Sequence, residues 1–182
     1  MTTWKIDQAH SHIGFKVKHM MVSTAKGEFK KFDATVEASK DDFTDAKITF
    51  EADIDSISTG HDQRDGHLKS EDFFNAAAFP KLTFISKELK KVDGENYKLT
   101  GDLTIRGKSL PVTLDVEFGG IVKNHFGKFV AGFEIHGKIN RQDYGLKWSM
   151  TTEAGGLVLG DEVKFEITAE LLKEVPVEAA HA

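Results

Sequence analysis

Apolar and polar positions alternate with a period of two along most of this chain, the signature of half-buried strands. Trp4 and Ile6 begin a short strand, and Ile13, Phe15 and Val17 alternate with Gly14, Lys16 and Lys18. Phe32, Ala34, Val36 and Ala38 share a face. Gly27 and the change of parity between Phe29 and Phe32 predict a bend or bulge before them. Ile48, Phe50, Ala52 and Ile54 form the next strand. After an interruption, Leu82 and Phe84 share a face while Ile85 and Leu89 fall on the other, which predicts a strand covered on both sides. Asp93-Gly94 is a hairpin signal. It precedes the row Tyr97, Leu99, Gly101, Leu103 and Ile105. Gly107 to Pro111 reads as a tight connection, with Pro111 at a strand's start. Val112, Leu114, Val116 and Phe118 then alternate up to Gly119-Gly120. Phe129, Ala131, Phe133 and Ile135 follow. The stretch 140–161 is irregular, with exposed-looking Trp148 and Met150. Val163, Phe165, Ile167, Ala169 and Leu171 complete the last strand.

The pattern gives about eight strands with hairpin-like spacing and no βαβ alternation. An all-β fold follows, best satisfied by an eight-stranded antiparallel barrel; a sandwich fits the same pattern. An eight-stranded barrel can be filled by side chains or hold one small ligand. The inward set mixes large residues with Ala34, Ala38, Ala52, Gly101, Ala131 and Ala169, which suits either a packed or a hollow interior.

The interruption, 54–84, packs charges, histidines and Phe73, Phe74 and Phe79 into one connection. Thr59-x-x-Asp62 and Ser70-Glu71-Asp72 read as helix starts, predicting short helices over roughly 60–68 and 70–77. The first has Leu68 as its large apolar anchor and is too short to stand alone. A polar cap over one end of a barrel is the expected result.

Composition narrows the function. At 182 residues the chain fits one domain, and roughly 70% of the unfolded surface is buried at this size. It has no cysteine, which removes disulfides and thiolate metal sites. With 24 basic and 29 acidic residues the net charge is −5, against a dedicated nucleic-acid binder. No apolar run approaches the roughly 18 residues of a membrane span. The first ten residues have no signal-peptide pattern, so a cytoplasmic location is expected, or a periplasmic one if the sequence is a processed form.

Several motifs then carry a resemblance. Trp4-Lys5-Ile6-Asp7 with His10-Ser11-His12 and Phe15, Gly27-Glu28-Phe29, Ser56 to Thr59, Arg64-Asp65-Gly66-His67-Leu68 and Asp72-Phe73-Phe74 occur in order. Phe79-Pro80, Gly101, Leu103 to Gly107, Arg141, Asp143-Tyr144-Gly145 and Gly160-Asp161 continue the series. Together, over roughly residues 4–172, they resemble the YceI-like family of polyisoprenoid-binding, lipocalin-like proteins. The resemblance implies an extended barrel, placed over 1–174, with a helical connection near the mouth; the tail, 175–182, is expected to be frayed. It implies an isoprenoid or quinone-like lipid as ligand, for transport, storage or sequestration, with no further cofactor. A homodimer through paired barrel surfaces is also suggested.

For such a ligand the apolar tunnel is placed on Ile13, Phe15, Val17, Val36, Phe50, Leu103, Leu114, Val116, Phe133, Ile135, Phe165 and Ile167. The head-group candidates are Arg64, His67 and Arg141, with His10 and His12 behind them. The plainer role for Arg64 is an ion pair pinning the connection, and for Arg106 a structural one in its turn. Two other readings compete. One is an enzyme at the barrel mouth using His61, Asp62, Arg64, Asp65 and His67, although no nucleophile motif or base–orienter pair is recognisable. The other is zinc on His10-x-His12, which lacks a third ligand at telling spacing. No catalytic residue and no metal ligand is assigned. His19, His61, His125, His136 and His181 have no assigned ligand role.

Overall fold

A computed structural model describes residues 1–149 and 159–175. Met150 and the tail from 176 onward, His181 included, lie outside the described residues. Strand β1 (Thr2–Ile6) continues into β2 (His12–His19) through a 3₁₀ turn at Gln8–His10. Likewise β3 (Ser23–Phe29) runs into β4 (Phe32–Ala38), and β5 (Lys47–Asp53) into β6 (Ile57–Ser58) through a 3₁₀ turn at Ile54–Ser56. The unbroken strands are β7 (Lys81–Asp93), β8 (Asn96–Ile105), β9 (Lys108–Lys123), β10 (Phe129–Asn140) and β11 (Leu159–Lys173). All pairings are antiparallel. β1 joins β4 on one side and β11 on the other, closing a barrel of eight in the order β1-β4-β5-β7-β8-β9-β10-β11. The pieces β2, β3 and β6 extend the wall from β11 beyond the bends.

The bends lie side by side and are tied across. Gln8 Nε2 donates to the Phe32 carbonyl at 2.7 Å, Asp53 N to the Lys31 carbonyl at 2.9 Å, and Lys30 N to the Ser56 carbonyl at 3.2 Å. The parity change between Phe29 and Phe32 is therefore a bend, as the pattern predicted.

Three local expectations need correction. The β7–β8 ladder slips between Ser86 and Glu88. That slip returns Leu89 to the interior (4% exposed) and leaves Ile85 outside (59% exposed), so β7 is covered on one side only. Pro111 sits inside β9, paired with Asp102, rather than at its start. Bond-exchanging pairs alternate along a hairpin. Counted from Ile105–Lys108, the pair closing the turn, Pro111 points its nitrogen away from β8. On that side β10 pairs with β9 only from Asp115 onward, so no ladder bond is lost. Finally, β9 passes through Gly119-Gly120 to Lys123, with Gly119 as an extra residue where the register against β10 shifts.

Candidate functional site

Among the described residues, two abutting apolar chambers lie in the barrel interior. The inner one leaves about 140 Å³ open to the centre of a water-sized sphere. Its lining contains no charged side chain. Space arises where small residues meet large ones: Ala34, Ala46 and Ala169 face the lumen among Phe50, Phe84, Leu103 and Phe133. The outer chamber, about 110 Å³ by the same measure, lies under the cap between Val17, Ala25, Leu68, Phe73, Phe74 and Leu146. Its charged lining residues are Lys26, Arg64 and Arg141. Phe15, Phe29, Leu82 and Phe165 line both chambers and form the waist between them. The Phe15 and Phe29 rings stand 5.6 Å apart. Phe15 fits there because its cross-strand partner is Gly27; a Cβ at that glycine would fall 2.5 Å from the Phe15 ring.

All twelve residues expected in the tunnel line these chambers, eleven the inner one and Val17 the outer. The expected set omitted Phe29, Leu82 and Phe43, which also line them. The first two were visible as inward strand positions. Phe43 comes from the 39–46 loop, where no alternation marks it.

The cap is one helix, α1 (Asp62–Lys69), not two. Its N-cap is His61 rather than Thr59; His61 Nδ1 accepts from Arg64 N at 3.3 Å. Ser70 to Ala78 folds as successive turns instead of the expected second helix. Asn75 has φ +50, a left-handed conformation that a right-handed helix excludes. Phe74 N, Asn75 N and Ala76 N reach back to the carbonyls of Leu68, Ser70 and Lys69.

Polar bonds fasten this cap. Asp65 is buried and accepts from Thr59 N at 2.9 Å and Thr59 Oγ1 at 2.5 Å. Arg64 Nε donates to Thr59 Oγ1 at 2.8 Å and Nη2 to the Thr59 carbonyl at 2.7 Å. Arg64 thus pins the connection through Thr59, not through the carboxylate ion pair anticipated. Its Nη1 group makes no hydrogen bond among the described residues, and Arg64 borders the outer chamber. Arg106 Nη1 donates to the carbonyls of Phe73 at 2.9 Å and Gly145 at 3.1 Å, a structural role.

Arg141 is 2% exposed, yet its donors are spoken for. Nε donates to the Gly160 carbonyl at 2.8 Å, Nη1 to those of Leu146 and Trp148, and Nη2 to that of Leu159 at 3.3 Å. Asp161 stands 3.6 Å away. Burial pushes the Arg141 pKa down and Asp161 opposes that shift. A guanidinium surrounded by carbonyls fixes the 141–161 connection and has little left for a ligand. Beside it, burial pushes the Tyr144 hydroxyl up to about 12.

The histidines are placed elsewhere. His67 pairs with Asp72 at 2.8 Å and stands edge-on to Phe73 and Trp148, so it fastens the cap and lines neither chamber. His10 pairs with Asp7 and His12 with Glu28, each at 2.8 Å, and neither lines a chamber. The structure does not bring His10 and His12 to a common point. It gathers Asp7, His10 and Glu170 with ligand-type atoms within 4.8 Å of one another, a geometry the Asp7–His10 pair already accounts for. In the segment 61–67, His61, Arg64, Asp65 and His67 are each engaged in building the cap.

A family model described as the YceI-like domain matches residues 4–171. The chain belongs to the YceI-like family. A UPF0312 protein of Staphylococcus epidermidis is 45% identical over 171 residues, covering 93% of this chain and 97% of that relative. Among solved structures, a Campylobacter jejuni YCEI protein matches with a TM-score of 0.75 and 36% identity, over 93% of this chain and 96% of that one. A polyisoprenoid binding domain from Saccharophagus degradans matches with a TM-score of 0.62 over 94% of this chain and 98% of that one. At 15% identity it shares the fold. Within this YceI-like barrel, described residues include no helix long and apolar enough to cross a membrane.

Proposed function

We propose that the barrel encloses one long isoprenoid or quinone-like lipid and holds it unchanged, as a carrier or store. The observation that carries this reading is the pair of abutting chambers, the inner one without a charged lining residue. A water needs roughly 10–15 Å³ of such space and two to four polar partners. The inner chamber has the space and lacks the partners, so it suits hydrocarbon. Apolar burial at roughly 25 cal/mol per Å² supplies affinity without specific contacts, offset in part by ordering the chain. The polyisoprenoid-binding description of the Saccharophagus domain supports the same ligand class. Arg64 borders the outer chamber and its Nη1 is unbonded among the described residues, so turning that group inward would let it meet a polar head.

The test is organic extraction of the purified protein with mass spectrometry, together with titration of an apolar fluorescent probe. A co-purified prenyl lipid near one per barrel is expected. Ala169→Phe, which places a ring in the inner chamber, should weaken probe binding about tenfold or more by removing the space. A protein that carries no lipid and binds no probe, or an Ala169→Phe variant that binds as well as the parent, overturns the reading.

A further inference from the structure

The turn joining β2 to β3 exposes Met20 (47%), Met21 (70%) and Val22 (87%) in succession. Val22 N donates to the His19 carbonyl at 3.3 Å, so Met20 and Met21 are the central residues of a β-turn. Both have positive φ, +51 and +60. Hairpin turns of that hand favour Asn-Gly, because a Cβ crowds the following carbonyl oxygen there, glycine has none, and asparagine's short polar side chain offsets the strain by bonding locally. Two exposed methionines therefore stand where neither turn geometry nor burial asks for them. Strain of this kind, retained at an exposed site, points towards function.

Its surroundings suggest what it meets. Lys18 and Lys26 are exposed on the same hairpin, and neither has a carboxylate within salt-bridge distance among the described residues. Lys16, by contrast, is paired with Glu166. Val17, Ala25 and Lys26 line the outer chamber. The turn begins three residues beyond Val17, about 10 Å along the strand. An apolar tip flanked by cations thus stands beside the outer chamber, on a molecule whose net charge is −5.

We propose that the Met20–Val22 turn docks on an anionic bilayer. The methionines and valine enter the interfacial region, Lys18 and Lys26 sit at head-group level, and the outer chamber is set against the membrane. That this allows lipid to pass into the barrel rests on the lipid-binding reading above; the docking does not. A second copy of the chain is a poorer occupant. Stable interfaces bury about 800 Å² per partner, and three side chains on a convex tip offer far less. Electrostatic attraction to anionic lipid decays within about 8 Å at physiological salt, so the lysines act only when the tip touches. The binding is weak and reversible, as for other shallow apolar anchors.

The experiment is co-sedimentation with large vesicles of phosphatidylglycerol and phosphatidylcholine, against phosphatidylcholine alone. The parent protein should sediment with the anionic vesicles and be released by salt. Met20→Asn with Met21→Gly gives the turn its preferred residues. It should raise the melting temperature yet weaken sedimentation about tenfold or more. Lys18→Glu should reduce the preference for anionic vesicles. Phe126→Ser, which removes an apolar residue 78% exposed on the β9–β10 hairpin, should change nothing. Failure of the parent to sediment, an unchanged methionine variant, or an equal loss in Phe126→Ser overturns the proposal. So does a methionine variant that turns a dimer into a monomer and leaves sedimentation intact. Probe uptake without vesicles keeps the two readings apart: a barrel that takes up no probe but docks through the methionines sinks the lipid reading alone.

Discussion

The two ends of the barrel are closed by different physics. At one end, the 39–46 loop folds inward and drives Phe43 into the lumen, 1% exposed, with ring centroids 5.2 Å from Trp4, 5.4 Å from Phe118 and 5.2 Å from Phe133. Phe43 has φ +61, which this loop imposes through its own bonds. Asp45 accepts from Ser39 N and Lys40 N, and Asp42 from Thr44 N and Thr44 Oγ1. Backbone donation holds both carboxyls below their usual pKa. At the other end, α1 and the 70–80 turns are fastened by Thr59–Asp65, Arg64–Thr59 and Arg106 to main-chain carbonyls. An aromatic plug opens only by wetting its rings, whereas a hydrogen bond near solvent is exchanged for one to water at a net cost of about 0.5–1.5 kcal/mol. The cap also rests on buried Phe73, so the contrast is one of degree: the plug is the floor, and the more polar cap the door.

The largest expected effect is at the floor. Phe43→Ala should lower unfolding stability by about 3–5 kcal/mol, since the ring is buried and its neighbours cannot close the gap fully. Chemical denaturation measures it. The same variant tests the contrast directly: a smaller loss there than at the cap would mean the plug is not what holds that end.

A smaller and more local effect is expected at the door. Asp65→Ala leaves the Thr59 amide and hydroxyl without their acceptor, a loss of about 1–3 kcal/mol. Because few apolar contacts anchor α1, the loss should appear as faster hydrogen exchange over 59–78, with β7 to β10 unchanged. Uniform acceleration across the barrel would show that cap and barrel open as one unit.

The same contrast explains what the sequence made legible. Period-two alternation marks residues whose surroundings repeat, so the barrel wall and the inward position of the twelve residues that line the chambers were readable from it. Phe43 was not, because a single aromatic in a loop has no periodic neighbours. Leu89 was misassigned because a bulge shifts parity by one residue, and no residue type announced it. The cap was legible as a polar interruption, but not its bonding. His67 and Arg141 have the chemistry of head-group ligands; tertiary contacts instead turn the first to Asp72 and surround the second with carbonyls. Asn75 at positive φ, which replaces the second helix by turns, is a tertiary outcome too.

The smallest expected effect concerns the joint between floor and door, where the β1–β2 bend carries the Asp7–His10 pair. Hydrogen bonding to His10 lowers the Asp7 pKa, and hydrogen bonding to Asp7 raises that of His10. The signs define a window. The depressed carboxylate contributes stability above its ordinary value of 3.8, lost as the pH falls through its lowered value. The raised imidazole contributes below its ordinary value of 6.5, lost as the pH rises through its raised value. The pair therefore acts most between 3.8 and 6.5. His10→Gln keeps a hydrogen-bonding side chain and removes the charge. Its melting temperature should fall below the parent's within that window and approach it at alkaline pH. The His10 side chain is 66% exposed, so the shift is small. A penalty independent of pH would mean that the bend is held by its cross-strand ties, Gln8 to Phe32 above all, and that charge plays no part in coupling the two ends.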